Sequence, residues 1–168
     1  MSLVLNSDFT GKYQLELTQY NTGEIDAYIA KYEKQYLLQL LGADLYALFI
    51  ADLDGATPQV PQSAIYLSLF NAFNADSNSK IITSDGIVEM LKGFIYYNYT
   101  KDIVQNQTPI GSTMPKNENS TVMALNQSMT TRLNGQVLTY EAIQWFICNN
   151  STDYPLYNGQ PMKFEYFL

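Results

Sequence analysis

The chain has 168 residues, 46% hydrophobic, 14% aromatic and only 15% charged, with a formal net charge of -7; that is the size of one domain with a single core. With no histidine and one cysteine, Cys148, it excludes Ser-His-Asp and Cys-His catalysis, His-ligated or thiolate metal sites and an internal disulfide. One arginine, Arg132, and eight lysines make no phosphate-neutralising patch for DNA, and no apolar run approaches the ~18 residues of a membrane span.

Asn, Gln, Ser and Thr fill the polar positions that charge leaves empty, and 14 tyrosines accompany them. Such a weakly charged, Tyr-rich surface points to protein–protein contacts, where Tyr is enriched and Lys and Glu are depleted. The competing reading is an acidic domain with a generous aromatic core. Met1 to Asn6 has no basic region and too short an apolar run for a signal peptide, so the expectation is a cytoplasmic product.

The first 20 residues read as an arm or a short strand: Lys12-Tyr13-Gln14-Leu15-Glu16-Leu17 alternates with period two. A helix is predicted from Asn21–Thr22, with Glu24 and Asp26 in its first turn. Ile25, Tyr28, Ile29, Tyr32, Tyr36 and Leu40 form its apolar stripe, and Gly42 is its stop. A second helix follows from Asp44–Leu45 to about Leu53, then Asp54-Gly55-Ala56-Thr57-Pro58 breaks the chain. A short helix after Pro61 would bury Ile65, Leu69, Ala72 and Phe73, and Asn74 to Lys80 reads as a polar turn. Thr83 or Ser84 caps the next helix, whose face is Ile87, Met90, Leu91, Phe94, Ile95 and Tyr97. It is apolar nearly all round from Phe94 to Tyr99, so it is predicted to be central and to end near Gln105–Asn106.

Residues 107–119 form the longest segment without a periodic pattern, with Pro109, Gly111 and Pro115 forbidding a continuous helix. About a dozen residues is long for a helix–helix connection and favours a functional loop. The last helix is predicted from Asn119 or Ser120 to Cys148, on the face Val122, Leu125, Met129, Leu133, Val137, Tyr140, Ile143, Gln144 and Ile147. The tail, 151–168, is too apolar to remain in water, and docks either on its own bundle or on a neighbour. The fold class is therefore all-α: a bundle of four to five helices, 21–150, with a long loop, 107–119, terminal arms and minor strand content.

No catalytic, cofactor-binding or metal residues are assigned. Asp52 and Asp54 lack the further oxygen ligands of a calcium loop. Cys148, in Trp145-Phe146-Ile147-Cys148, has no histidine to activate it and reads as a buried or half-buried structural thiol. Four Asn-x-Ser/Thr triplets, at Asn98, Asn119, Asn126 and Asn150, are what this composition produces by chance. Gly93 inside a helix costs about 1 kcal/mol against Ala, which a close helix–helix approach would explain. Tyr96, Tyr97 and Tyr99 beside Lys92 and Lys101 read as core or subunit interface before a nucleic-acid stacking platform.

Four segments carry a resemblance. They are Tyr28-Ile29-Ala30-Lys31-Tyr32-Glu33 with Tyr36-Leu37-Leu38-Gln39-Leu40-Leu41-Gly42-Ala43-Asp44-Leu45-Tyr46; Ser84-Asp85-Gly86-Ile87-Val88-Glu89-Met90-Leu91-Lys92-Gly93-Phe94-Ile95-Tyr96-Tyr97; Gln107-Thr108-Pro109-Ile110-Gly111 followed by Asn117-Glu118-Asn119-Ser120; and Tyr154-Pro155-Leu156-Tyr157-Asn158-Gly159. In this order, over residues 8 to 160, they resemble the head–tail connector, or head-completion adaptor, proteins of tailed phages, particularly those of Bacteroidetes hosts including crAss-like phages. The resemblance implies a helical, non-enzymatic virion protein without cofactor. It implies a homo-oligomeric ring, usually dodecameric, in the phage neck beneath the portal protein. The ring would extend the DNA channel, with DNA passing nearby but not gripped, and dock the next neck or tail protein. Assembly would take place in the host cytoplasm.

A ring subunit buries two different flanks, and a net acidic subunit repels a passing duplex. The expected interface residues are Thr108, Pro109, Gly111, Pro115 and Asn119 in the loop and Tyr154, Pro155, Tyr157, Phe164, Tyr166 and Phe167 in the tail. The competing reading for each is packing within its own subunit. Two other functions stay open: another neck component, such as a stopper or tail-completion protein, and a non-viral helical binding or scaffold module.

Overall fold

Helix α1 (Thr22–Leu41) and helix α2 (Ala43–Ala51) are separated by one residue, Gly42, at φ +79°. That left-handed conformation suits glycine, and it turns the chain within a single step. Helix α3 (Ala64–Phe70) follows, then strands β1 (Phe73–Ser77) and β2 (Lys80–Ser84), helix α4 (Ile87–Val104), strands β3 (Asn106–Thr108) and β4 (Gly111–Thr113), and helix α5 (Leu125–Asn149). These come from a computed structural model that describes residues 2–15, 22–77, 80–104, 106–108, 111–113 and 125–161. The chain is mostly helical with minor strand, as its periodicity predicts.

α4 is the central element. It packs against α1 on one side and α5 on the other, and Ile87, Met90, Leu91, Phe94, Ile95 and Tyr99 are all buried. Gly93 is where α5 comes nearest: a Cβ there would run into the Gln136 side chain. Close approach, not flexibility, accounts for a glycine in mid-helix.

Three expectations need correction. Over Gly11–Tyr13 the chain makes a 3-10 turn, after another at Asn6–Asp8, instead of the strand read from Lys12 to Leu17; Glu16 and Leu17 lie outside the described residues. The reason is burial: Leu3, Val4, Phe9 and Tyr13 are core residues, and two tight turns point them inward where alternation would send half of them out.

The polar turn at Asn74 to Lys80 is a β-hairpin, with Phe73 in a strand and not at the end of a helix. Its second strand, Lys80-Ile81-Ile82-Thr83-Ser84, holds three β-branched residues in a row, and packing along α5 decides the conformation. The Phe73 ring meets Phe146 at 4.9 Å.

Inside the segment 107–119, Asn106–Thr108 pairs antiparallel with Gly111–Thr113. Pro109, Ile110 and residues 114–124 lie outside the described residues.

The N-terminal segment is held by one buried carboxylate. Glu33 of α1 is 3% exposed. It accepts hydrogen bonds from the Leu3 N–H at 3.0 and 3.1 Å, the Val4 N–H at 3.4 Å and the Ser2 hydroxyl at 3.4 Å. Burial pushes the Glu33 carboxyl up; the bonds from Leu3, Val4 and Ser2 oppose it, and the net direction is up. Folding therefore favours the protonated form. Its contribution is full below the ordinary carboxylate value and fades as pH rises through the raised value. Glu33→Ala leaves two buried N–H groups without an acceptor, a loss of about 1–3 kcal/mol. Thermal melts across pH should show that loss, and it should narrow as pH rises through the same window.

Candidate functional site

The aromatic tail is the expected assembly surface, and its two described tyrosines are turned inward. Tyr154 is 2% exposed. Its hydroxyl donates to the Ile65 carbonyl at 2.8 Å and lies 3.0 Å from the Ser68 hydroxyl, and its ring meets Phe146 at 6.5 Å. Tyr157 is half-buried and accepts a hydrogen bond from Gln144 Nε2 at 3.0 Å.

Past Tyr157 the backbone crosses the turn between α1 and α2. The Asn158 N–H donates to the Leu41 carbonyl at 3.4 Å, and the Gln160 N–H to the Gln39 carbonyl at 2.8 Å. The Gln160 carbonyl accepts from the Tyr140 hydroxyl at 2.6 Å and from Gln144 Nε2 at 2.8 Å. Burial pushes the Tyr140 hydroxyl well above its ordinary value, so it stays a donor. Two glycines permit the crossing. A Cβ on Gly42 would lie 2.6 Å from the Asn158 carbonyl carbon, and one on Gly159 would run into the Leu40 carbonyl. The described part of the tail, 151–161, is thus a strap on the same chain, anchored to α1, α3 and α5.

The expected interface residues therefore divide. Tyr154 and Tyr157 pack within the subunit; Pro155 is exposed beside Leu156, itself 48% exposed. Thr108 ends β3 and Gly111 begins β4. Pro109, Pro115, Asn119, Phe164, Tyr166 and Phe167 lie outside the described residues.

The other tyrosines follow the same pattern. Apart from Tyr20 and Tyr166, which lie outside the described residues, every tyrosine is buried or half-buried. Tyr28, Tyr32 and Tyr36 form a ladder along α1, with centroids 5.7 and 6.0 Å apart, and Tyr36 stacks on Phe94 of α4 at 4.4 Å. Tyr99 meets Tyr28 edge-on at 5.2 Å, and Tyr96 meets Tyr13 at 5.8 Å. Tyr28 also donates to Asp102 at 2.7 Å, and burial with that partner pushes it up to about 12. Tyr96 and Tyr99 of α4 thus pack within the chain.

Several carboxylates are engaged too. Asp52 accepts from the Gln62 N–H at 3.0 Å and from the Ser63 N–H and hydroxyl at 2.9 and 3.0 Å; Asp54 accepts from the Val60 N–H at 2.9 Å. Both staple the loop between α2 and α3. Glu89 bridges Lys12 at 2.5 Å and Lys92 at 2.6 Å. Burial alone pushes Glu89 up, but the hydrogen bonds and charges of the two lysines outweigh it, and the net direction is down. Among the described residues, no group of three or more Asp, Glu or Cys could hold a metal ion. Cys148, expected to be buried or half-buried, is instead a free, exposed thiol.

In β1–β2, Phe73, Ala75, Ile82 and Ser84 face α5, while Asn74, Asp76, Ile81 and Thr83 face outward. Ile81 is 79% exposed, and Leu138 on α5 is 63% exposed. Sequence reasoning missed this first hairpin; the run Ile81-Ile82-Thr83 was the available signal. No family model, curated protein or solved structure matches the chain.

The crossing of the tail over α1 gives a direct test of which residues hold it. Gly159→Ala should lower stability by about 1–3 kcal/mol, because its Cβ meets fixed backbone. Gly55→Ala, where nothing lies within 4 Å, should change it by less than about 0.5 kcal/mol. Chemical denaturation of both variants checks the difference.

Proposed function

We propose that this chain is a structural subunit of a tailed-phage neck: a head–tail adaptor that assembles as a ring below the portal protein, extends the DNA channel and docks the next neck or tail protein. It is a non-enzymatic role, needs no cofactor, and places the protein in the virion. The observation that carries the reading is where the four resembling segments sit. The first supplies α1, the Gly42 turn and the start of α2; the second supplies the central α4. The third opens at the β3–β4 hairpin, and the fourth is the strap that crosses the Gly42 turn. The resemblance therefore falls on the joints of the fold.

The electrostatics agree with such a role. With 16 acidic and 9 basic residues, the subunit repels a passing duplex instead of gripping its phosphates.

Mass spectrometry of purified particles, with co-purification of the chain on a tagged portal protein, tests the proposal. The expected result is the chain in virions at several copies per particle and in a complex with the portal. Absence from particles, together with a monomer in the presence of the portal, would overturn it.

A further inference from the structure

Two small sheets lie at opposite ends of one helix, and each lacks what the other provides. β3–β4 has three residues per strand. It has no substantial packing partner among the described residues. A two-stranded ribbon of that size is marginal in water by itself. β1–β2 is the converse. Its inner face rests on α5, with the Asp85 N–H reaching the Thr139 hydroxyl at 3.3 Å. β2 lies along α5 and β1 is the outer strand, its outer edge paired to no described residue.

Open edges are ordinarily blunted by Lys, Pro or a bulge. β1 reads Phe73-Asn74-Ala75-Asp76-Ser77, with neither Lys nor Pro, and it pairs with β2 in unbroken register. The most exposed large apolar side chain described, Ile81, stands on the outward face of this same ribbon.

The two sheets cannot meet within one subunit. β2 feeds the first turn of α4 through Asp85 and Gly86, and β3 leaves its far end. With 18 residues, α4 is about 27 Å long. A three-residue strand reaches only about 10 Å. A second copy, displaced along the direction of α4, brings the two together.

We propose that the β3–β4 hairpin of one copy adds to the open edge of β1 on the next, forming a four-stranded intermolecular sheet. The inference rests on the ring reading only in taking a second copy as the partner. Main-chain hydrogen bonds supply the affinity, and each ribbon gains the strands it needs. Asp76 is the one charge among β1, β3 and β4, so no like-charge pair opposes the joint. The contact uses different surfaces on the two copies, so it is heterologous and propagates into a ring or an open array.

The test uses the full chain. In one variant, residues 106–113 are replaced one for one by Gly and Ser, which keeps the connection between α4 and α5 but removes the ribbon. Light scattering with size exclusion should find the native chain above monomer mass. The variant should self-associate at least about tenfold more weakly, with unchanged helical circular dichroism. In a Cys148→Ser background, Asn74→Cys and Ser112→Cys chains are then mixed under mild oxidation. Facing strand positions lie close enough for a disulfide, so a cross-linked heterodimer is expected. If the Gly/Ser variant assembles as the native chain does, or the mixed pair fails to cross-link within an assembled ring, the joint is wrong while the ring reading stands. If the native chain stays monomeric at every concentration and with the portal present, both fall together.

Discussion

Tyr36 stacked on Phe94, ring centroids 4.4 Å apart, is the contact around which the rest of the subunit is arranged. It joins α1 to α4 at mid-length. On one side the stack continues down α1 through Tyr32 and Tyr28 to Tyr99; on the other Phe94 meets Tyr140 of α5 at 6.5 Å. Aromatic pairs of this kind contribute about 0.5–1.5 kcal/mol each beyond the area they bury. Here they also fix geometry. With α4 clasped between α1 and α5, Gly93 lets Gln136 approach closely and Tyr140 is aimed at the Gln160 carbonyl. The N-terminal segment is held by Glu33 on the first of these helices and the C-terminal strap by Gln39 and Leu41 at its end. Loosening the aromatic stack would release both ends of the chain.

This arrangement reverses the simplest reading of the composition. Tyrosine abundance suggests sticky aromatic surfaces, yet every described tyrosine is buried or half-buried, and most pack against other aromatic rings. Their hydroxyls are used as well: Tyr154 on Ile65, Tyr140 on Gln160, Tyr28 on Asp102. Under the proposed joint, assembly rests on backbone, which the outer edge of β1 leaves unpaired among the described residues.

The helices were legible because their signals are local. The stripe from Ile25 to Leu40, the stop at Gly42 and the all-round apolar run from Phe94 to Tyr99 follow from 3.6-residue periodicity, and they fix which helix is central. The hairpins were not legible. Asn74 to Ser77 carries turn-forming residues and becomes a strand only because β2 pairs with it and α5 supports β2. Asn106–Thr108 and Gly111–Thr113 are short and polar, with no alternation to read. The two ends of the chain failed as patterns for another reason. Leu3 and Val4 are captured by a carboxylate about 30 residues away in sequence, and the described tail is captured by backbone beside Gly42. Neither partner is visible in local spacing. Among the candidate interface residues, Tyr154 and Tyr157 illustrate the limit: apolar content says that they must dock, and only the fold says on what.

In the proposed joint the chain presents hairpin edges, not aromatic side chains, to a second copy. Hydrogen–deuterium exchange on the free and the assembled protein measures this amide by amide. The account predicts new protection within 73–77 and 106–113 on assembly, while the Asn158 and Gln160 amides are protected already in the free subunit. New protection confined to 154–161, with both hairpins exchanging as before, would contradict it.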